Sequence, residues 1–258
     1  MIKNKTDISP SIFFAGSKKP QLFQGLSEDS LQHILENSTL QNFPKDQILI
    51  QQGDIPEYAY FIVSGQMRSF RSNSDGNEAT IRMLEAGDVC MEAVIFMGGT
   101  SPITVQTLSD TRIILIPNKF MKSFAVQDTQ FANNLLRIVT HHYKNAMHQI
   151  DAMATKTPVQ RVGYYFLQKH IEQGSDHMDF ELPFKKSTIA NHLGMTPETF
   201  SRALQQIKKI GVEIDGEIIR LKDAYALCHF CDTDTVHDCT LSNKEACPVC
   251  PMHKSTAH

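Results

Sequence analysis

Between Phe43 and Pro117 the apolar residues come in short strand-like runs, and over 126–155 they recur at three- and four-residue steps, with no proline until Pro158. The first pattern occupies residues 48–50, 58–63, 67–71, 80–84, 104–108 and 112–116. Turn signals separate the runs: Gly53-Asp54, Ser64-Gly65, Asp75-Gly76-Asn77, Gly87-Asp88 and Gly98-Gly99. Many short strands joined by glycine turns resolve their edges by closing or stacking, which predicts a β-roll or sandwich. The second pattern, through Leu135, Val139, His142, Ala146, Ile150 and Met153, predicts one long helix. At about 1.5 Å per residue such a helix reaches roughly 40 Å, more than one small domain can cover. A second helix covers it, either within this chain or from another copy.

A third pattern lies at 185–211, KKSTIANHLGMTPETFSRALQQIKKIG. Ile189, Ala190 and Leu193 share one apolar face, and Phe200, Leu204, Ile207 and Ile210 share another. Between them Gly194 accepts the positive φ of a sharp turn, and Thr196-Pro197 supplies an N-cap and a first helical residue. This is the grammar of a helix-turn-helix. Thr196, Glu198, Thr199, Ser201 and Arg202 fall at the start of the second helix, the part that reaches base edges in a major groove. Lys185, Lys186, Arg202, Lys208 and Lys209 outnumber Glu198 by four, so the face suits phosphate. Short strand signals at 178–182 and 212–221, the latter a hairpin about Asp215-Gly216, make it a winged helix, with Arg220 or Lys222 as phosphate contacts from the wing. The fold class is α+β.

With 258 residues and a formal charge of −3, the chain has no general basic coat, so DNA affinity must come from this local patch. The first ten residues lack the apolar core of a signal peptide and no run is long enough to span a membrane, so a cytoplasmic protein is expected. Predicted boundaries are an arm at 1–19, a sensor domain at 20–125 opening on a helix capped by Ser27, a long helix at 126–155, a DNA-binding domain at 156–227 and a tail at 228–258.

Pro-Glu-Thr-Phe-Ser-Arg at 197–202 resembles the Glu-x-x-Ser-Arg recognition motif of the Crp/Fnr transcription regulators, of the Fnr type. The resemblance implies that Glu198 accepts from cytosine N4, Ser201 packs near a thymine and Arg202 contacts guanine O6 and N7, on TTGA-type half-sites of a palindrome. Lys186 joins them on the phosphate side. Gln52-Gly53-Asp54 and Phe61-Ile62-Val63-Ser64-Gly65 are similar to the cyclic-nucleotide-binding jelly roll that precedes the helix-turn-helix in this family. The family's order implies a homodimer paired along the 126–155 helix, with double-stranded DNA and RNA polymerase as partners.

Members that bind cyclic AMP carry an arginine shortly after the phosphate loop. Here the loop keeps Glu92, but no arginine stands between Arg82 and Arg112. A buried phosphate without such a partner loses the bonds that offset its desolvation, so no cyclic AMP binding is expected. The 91–96 loop, Ser101-Pro102 and the recognition motif look like the DNR and HcpR branches, which answer nitric oxide or redox stress. Several of those regulators hold haem, for which His141, His142, His148 and His33 are the candidate ligands.

Beyond Ala226 stand Cys228, Cys231, Cys239, Cys247 and Cys250, five of the chain's six cysteines. Two Cys-x-x-Cys pairs separated by 15 residues have the spacing of a soft-metal site, zinc or an iron–sulfur cluster. The place of this tail is similar to that of the cluster in some bacilli, though the count differs. Cys90, alone in the sensor domain, reads as a small core residue.

No Gly-x-Ser-x-Gly, His-Glu-x-x-His or phosphate-binding loop points to an enzyme. A scaffold that senses without binding DNA, or a thiol redox protein acting through the tail, are the competing readings.

Overall fold

The computed structural model describes residues 9–14, 20–173, 178–222 and 226–230, and the chain divides into two compact units, Met1–Ala146 and Met147–His258.

The first unit begins with 3-10 turns at Pro10–Phe14 and Gln21–Phe23 and then α1 (Glu28–Glu36). Phe13 is buried against Phe23 and Phe61, with ring centroids 3.9 and 5.6 Å away, which fastens the first 3-10 turn to the unit. Ser27 caps α1, its hydroxyl accepting from the Ser30 N–H at 3.1 Å. There follow β1 (Thr39–Phe43), β2 (Ile48–Ile50), β3 (Tyr58–Ser64), β4 (Gln66–Ser72), β5 (Glu78–Glu85), β6 (Val89–Cys90), α2 (Glu92–Met97), β7 (Thr104–Thr107) and β8 (Thr111–Pro117).

The strands form two antiparallel sheets, ordered β1-β8-β3-β6 and β2-β7-β4-β5. Apart from the β4–β5 hairpin, each successive strand switches sheet, and that crossing lets the inner faces share one core. Phe61, Ile62, Met67, Leu84, Val105 and Ile113 fill it, none more than 1% exposed. Cys90 belongs to the same core at 0% exposure, and burial pushes its thiol up to about 12, as a structural cysteine requires.

Helix α3 (Asn118–Gln127) follows in the first unit, and α4 (Thr129–Thr155) begins there and continues past Ala146 into the second. The single helix expected from residue 126 is therefore interrupted. Asp128 makes the break: its Oδ1 accepts from the Phe131 N–H at 3.0 Å, capping α4, while its Oδ2 accepts from the Ser30 hydroxyl at 2.7 Å. Phe131, Leu135 and Ile138 bury the start of α4. Asn134, fully buried, donates its Nδ2 to the carbonyls of Leu22 and Gln24 at 3.0 and 2.8 Å, which fastens the N-terminal segment to the helix. On another face Leu136, Val139, Tyr143, Met147, Ile150 and Met153 are exposed, Leu136 at 65% and Tyr143 at 68%. The predicted stripe thus divides: Leu135 faces the core, and its exposed part is offset around the helix.

The second unit contains α5 (Pro158–Gln173), β9 (Asp179–Glu181), α6 (Lys186–His192), α7 (Pro197–Lys208), β10 (Val212–Asp215), β11 (Ile218–Leu221) and a 3-10 turn at Cys228–Phe230. The strands make an antiparallel sheet ordered β10-β11-β9. Val162, Phe166, Ile189, Ile207 and Ile219, each 0% exposed, lie in its core. Among the described residues no helix is long and apolar enough to cross a membrane.

Candidate nucleic-acid interface

Helix α6 stops because Gly194 takes φ +64°, letting the Met195 N–H turn back to the Ala190 carbonyl at 3.0 Å. The carbonyls released at its end are taken by neighbouring helices. Gln149 Nε2 on α4 donates to the His192 oxygen at 2.9 Å, and Arg161 Nη1 on α5 donates to the Leu193 oxygen at 2.7 Å. Helix α7 starts where the sequence places it. Thr196 has extended backbone and its hydroxyl accepts from the Thr199 N–H at 3.2 Å, with Pro197 at the first helical position.

Phe200, Ala203, Leu204 and Ile207 anchor α7 in the core. The remaining face presents Glu198, Ser201 and Arg202, all exposed, and Thr199 is half-buried with its hydroxyl against that of Thr196 at 3.2 Å. Hydrogen bonds from its own amide and from the Thr196 hydroxyl, with Arg202 one turn on, hold the Glu198 carboxyl below its usual range. It is an acceptor only, the form that takes a hydrogen from cytosine N4.

A cleft of about 310 Å³ lies beside this edge, lined by Lys186, Ser201, Gln205 and Lys208 together with Phe200 and Leu204. Gln205 lies outside the Glu-x-x-Ser-Arg motif. The signal was present, because it follows Ser201 and Arg202 by one helical turn. The wing is less cationic than its sequence suggests. Arg220 lies 3.4 Å from Asp215, and Lys222 lies 4.0 Å from Glu213.

A jelly-roll unit followed in the chain by a winged helix-turn-helix with an exposed Glu-x-x-Ser-Arg edge finds its counterpart among known proteins. Residues 40–128 match the cyclic nucleotide-binding domain family, and residues 160–230 match the Crp-like helix-turn-helix domain family. The chain belongs to the Crp/Fnr family of transcription regulators. It is 26% identical over 192 residues to the transcriptional activator protein FnrA of Stutzerimonas stutzeri, covering 71% of this chain and 77% of that one. It is 26% identical over 204 residues to the fumarate and nitrate reduction regulatory protein of Salmonella typhi, covering 77% and 80%. The fold is shared with FixK2 from Bradyrhizobium japonicum, at a TM-score of 0.68 and 24% identity over 76% of this chain and 98% of that chain. This Crp/Fnr protein is a DNA-binding transcription regulator.

In the regulator's first unit, Glu92 opens α2 behind Met91, a non-glycine residue at φ +75°. The Glu92 side chain is 1% exposed. Its Oε1 lies 2.9 Å from His142 Nδ1 on α4 and 3.5 Å from Arg82 Nη1 on β5, and its Oε2 is buried without a hydrogen-bond partner. Arg82 stands ten residues before Glu92 in the chain, on the upstream side of the loop. Its other nitrogen, Nη2, donates to the Val89 carbonyl at 3.2 Å.

The histidines considered as haem ligands do not converge. His142 is engaged by Glu92, His33 is exposed with its ring edge against Phe120 at 5.3 Å, and His141 Nε2 lies 3.0 Å from the Asn145 amide. His148 is half-buried on α4. Among the described residues no three His, Cys, Asp or Glu side chains gather as a metal site. Of the five tail cysteines only Cys228 is described, and it is buried; Cys231, Cys239, Cys247 and Cys250 lie outside the described residues.

Proposed function

We propose that this regulator reads an Fnr-like palindrome with TTGA-type half-sites through Glu198, Ser201 and Arg202. The observation that carries the reading is their joint exposure on the first two turns of α7, with the opposite face fixed in the core. Thr196 and Thr199 set the start of the helix, and Lys186, which lines the cleft, meets phosphate.

Regulators of this family act as dimers, and the exposed stripe from Leu136 to Met153 on α4 is the surface we assign to the partner copy. A twofold pair presents two recognition helices to successive turns of one DNA face. RNA polymerase is the further protein partner this role requires, and the cytoplasm is where both partners are met. The working boundaries are 20–125 for the sensor, 126–155 for the pairing helix and 156–227 for the reader.

The signal we assign is redox state, oxygen or nitric oxide, in keeping with the DNR- and HcpR-like loop, and not cyclic AMP. Arg82, the arginine beside Glu92, is already committed to that carboxylate and to Val89, which leaves a nucleotide phosphate without a partner. We assign the chemistry of that signal to the tail cysteines. When bound there, a zinc ion would supply a fixed thiolate crosslink and an iron–sulfur cluster an oxidisable one.

Two measurements test this. Anisotropy titration on a palindrome and on half-site variants should show Arg202→Ala losing about 1–3 kcal/mol per half-site and losing discrimination at the contacted guanine. Unchanged specificity in that variant removes the reading. Metal analysis and an ultraviolet-visible spectrum of anaerobically purified protein should show bound zinc or an air-sensitive absorbance near 400 nm. A Soret band would move the signal to haem, and a metal-free protein would remove both.

A further inference from the structure

Helix α6 runs out on two consecutive carbonyls, and each is taken by a different helix. Gln149 Nε2 on α4 donates to the His192 oxygen at 2.9 Å, and Arg161 Nη1 on α5 donates to the Leu193 oxygen at 2.7 Å. The last carbonyls of a helix find no donor within it and carry partial negative charge, so an amide and a guanidinium answer both needs. The turn that follows is closed in as well. A Cβ at Gly194 would stand 3.1 Å from Met153 Cε and 3.5 Å from Arg161 Nη1. Met153 lies one helical turn after Gln149, so the two share one face of α4.

Arg161 leaves its Nε buried without a hydrogen-bond partner, which is unfavourable, so its place answers to the Leu193 carbonyl that Nη1 reaches. Gln149 is half-buried and adjoins Ile150 of the exposed stripe. The same turn of α4 therefore presents Ile150 outward and holds the helix-turn-helix through Gln149. That turn decides the direction in which α7 leaves α6, and α5, which carries Arg161, packs on α7. A binding constellation works only when its side chains stand within about 0.5 Å and 10–20° of the productive geometry. Glu198 lies four residues beyond Gly194, so a small rotation of the turn is carried straight to it.

We propose that Gln149 is a positioning residue for base reading: through the His192 carbonyl it fixes, together with Arg161, the angle at which α7 is presented to DNA. This rests on the assignment of Glu198, Ser201 and Arg202 as base contacts. Gln149 has its own amide committed to the protein and reads no base.

The test uses full-chain Gln149→Met, which keeps the length of the side chain and loses the donor, and Gln149→Lys, which keeps a donor at similar reach. Anisotropy titrations on the palindrome and on an unrelated duplex give an affinity ratio, in which the phosphate attraction common to both cancels. Gln149→Met should lower that ratio by about threefold to tenfold per half-site, the scale of one lost hydrogen bond, with affinity for the unrelated duplex and the mass by light scattering unchanged. Gln149→Lys should restore most of it. Hydrogen exchange on the DNA-free protein should quicken in Gln149→Met at the Gly194 and Met195 amides, whose bonds to the Asn191 and Ala190 carbonyls close the turn. A merely structural role would lower the melting temperature and leave the ratio as in the wild type, and that result overturns the proposal. An equal loss in the two variants, or a mass falling toward one chain, overturns it too, by placing the effect in packing or in pairing. Arg202→Ala run in parallel separates the two readings: if its ratio collapses while that of Gln149→Met holds, the positioning role alone is lost, and if its ratio holds, the base reading fails first.

Discussion

His142 Nδ1 and Glu92 Oε1 lie 2.9 Å apart, which ties the long helix α4 to the head of α2 across fifty positions of sequence. Glu92 is 1% exposed and its second oxygen has no partner, so this contact and the longer one from Arg82 carry its compensation. Removing one side of a buried polar pair leaves the other desolvated, and removing both costs less. His142→Ala should therefore destabilise the sensor unit by roughly 1–3 kcal/mol. Glu92→Gln added to that background should recover part of the loss. Urea denaturation of the four proteins in the cycle measures the coupling, and additive effects would show that the pair does not hold the helix.

The exposed stripe on α4 should be buried on assembly. Ile150, 61% exposed, lies on this face, so Ile150→Lys places a charge where an apolar partner is expected. Light scattering should give a mass of twice 29.1 kDa for the wild type and a shift toward one chain for the variant. Affinity for the palindrome should fall with the dimer, and binding to a single half-site should not. A variant that stays dimeric with full affinity would place the partner surface elsewhere.

Much of the fold can be read in the chain because its signals are local. Thr196-Pro197 and Gly194 mark the helix-turn-helix by capping and positive φ, and both act in the structure as their chemistry dictates. The glycine turns set off six strands for the same reason. Strand β1 escaped because Thr39–Phe43 does not alternate in burial; its order comes from pairing with β8, seventy residues away. The 91–96 stretch carries a loop signal in sequence, and the helix Glu92–Met97 starts from the left-handed turn at Met91 and buries Glu92, Val94 and Ile95. The site residues on α7 follow a motif with helical spacing and were legible. The pairing of Glu92 with Arg82 and His142, and of Gln149 with the His192 carbonyl, was not, because those contacts exist only after distant segments have packed.

The Glu198 carboxyl gives a pH prediction whose sign is fixed by its surroundings. Its own amide, the Thr196 hydroxyl and Arg202 favour the ionised form, so its folded-state value lies below the ordinary 4.5. A depressed value means that the stabilisation is fully present above 4.5 and is lost as pH falls through the lower folded value. Discrimination at the paired cytosine should therefore be flat from neutral pH to about 5, a window in which an unperturbed glutamate already begins to protonate. Carbon-detected NMR should place the Glu198 midpoint under 4.5, and Thr196→Ala should move it toward that value. A midpoint at or above 4.5 in the wild type would mean that the cap does not act on Glu198.

Lys186 and Arg202 should separate phosphate attraction from base reading. Arg202 stands on the exposed face of α7, one turn after Glu198, whereas Lys186 opens α6 and lines the cleft. Each phosphate neutralised releases condensed counterions, so a phosphate contact appears as a salt slope and a base contact as a preference among sequences. Lys186→Ala should weaken the palindrome and an unrelated duplex by similar factors and lower the salt slope by about 1 per half-site. Arg202→Ala should leave binding to the unrelated duplex nearly unchanged while the preference for the palindrome collapses. Anisotropy titrations of both duplexes across a range of potassium chloride concentrations distinguish the two. If Lys186→Ala altered the sequence preference while leaving the salt slope intact, the cleft would be reading bases, and Ser201 and Gln205, which line it with Lys186, would be the next positions to substitute.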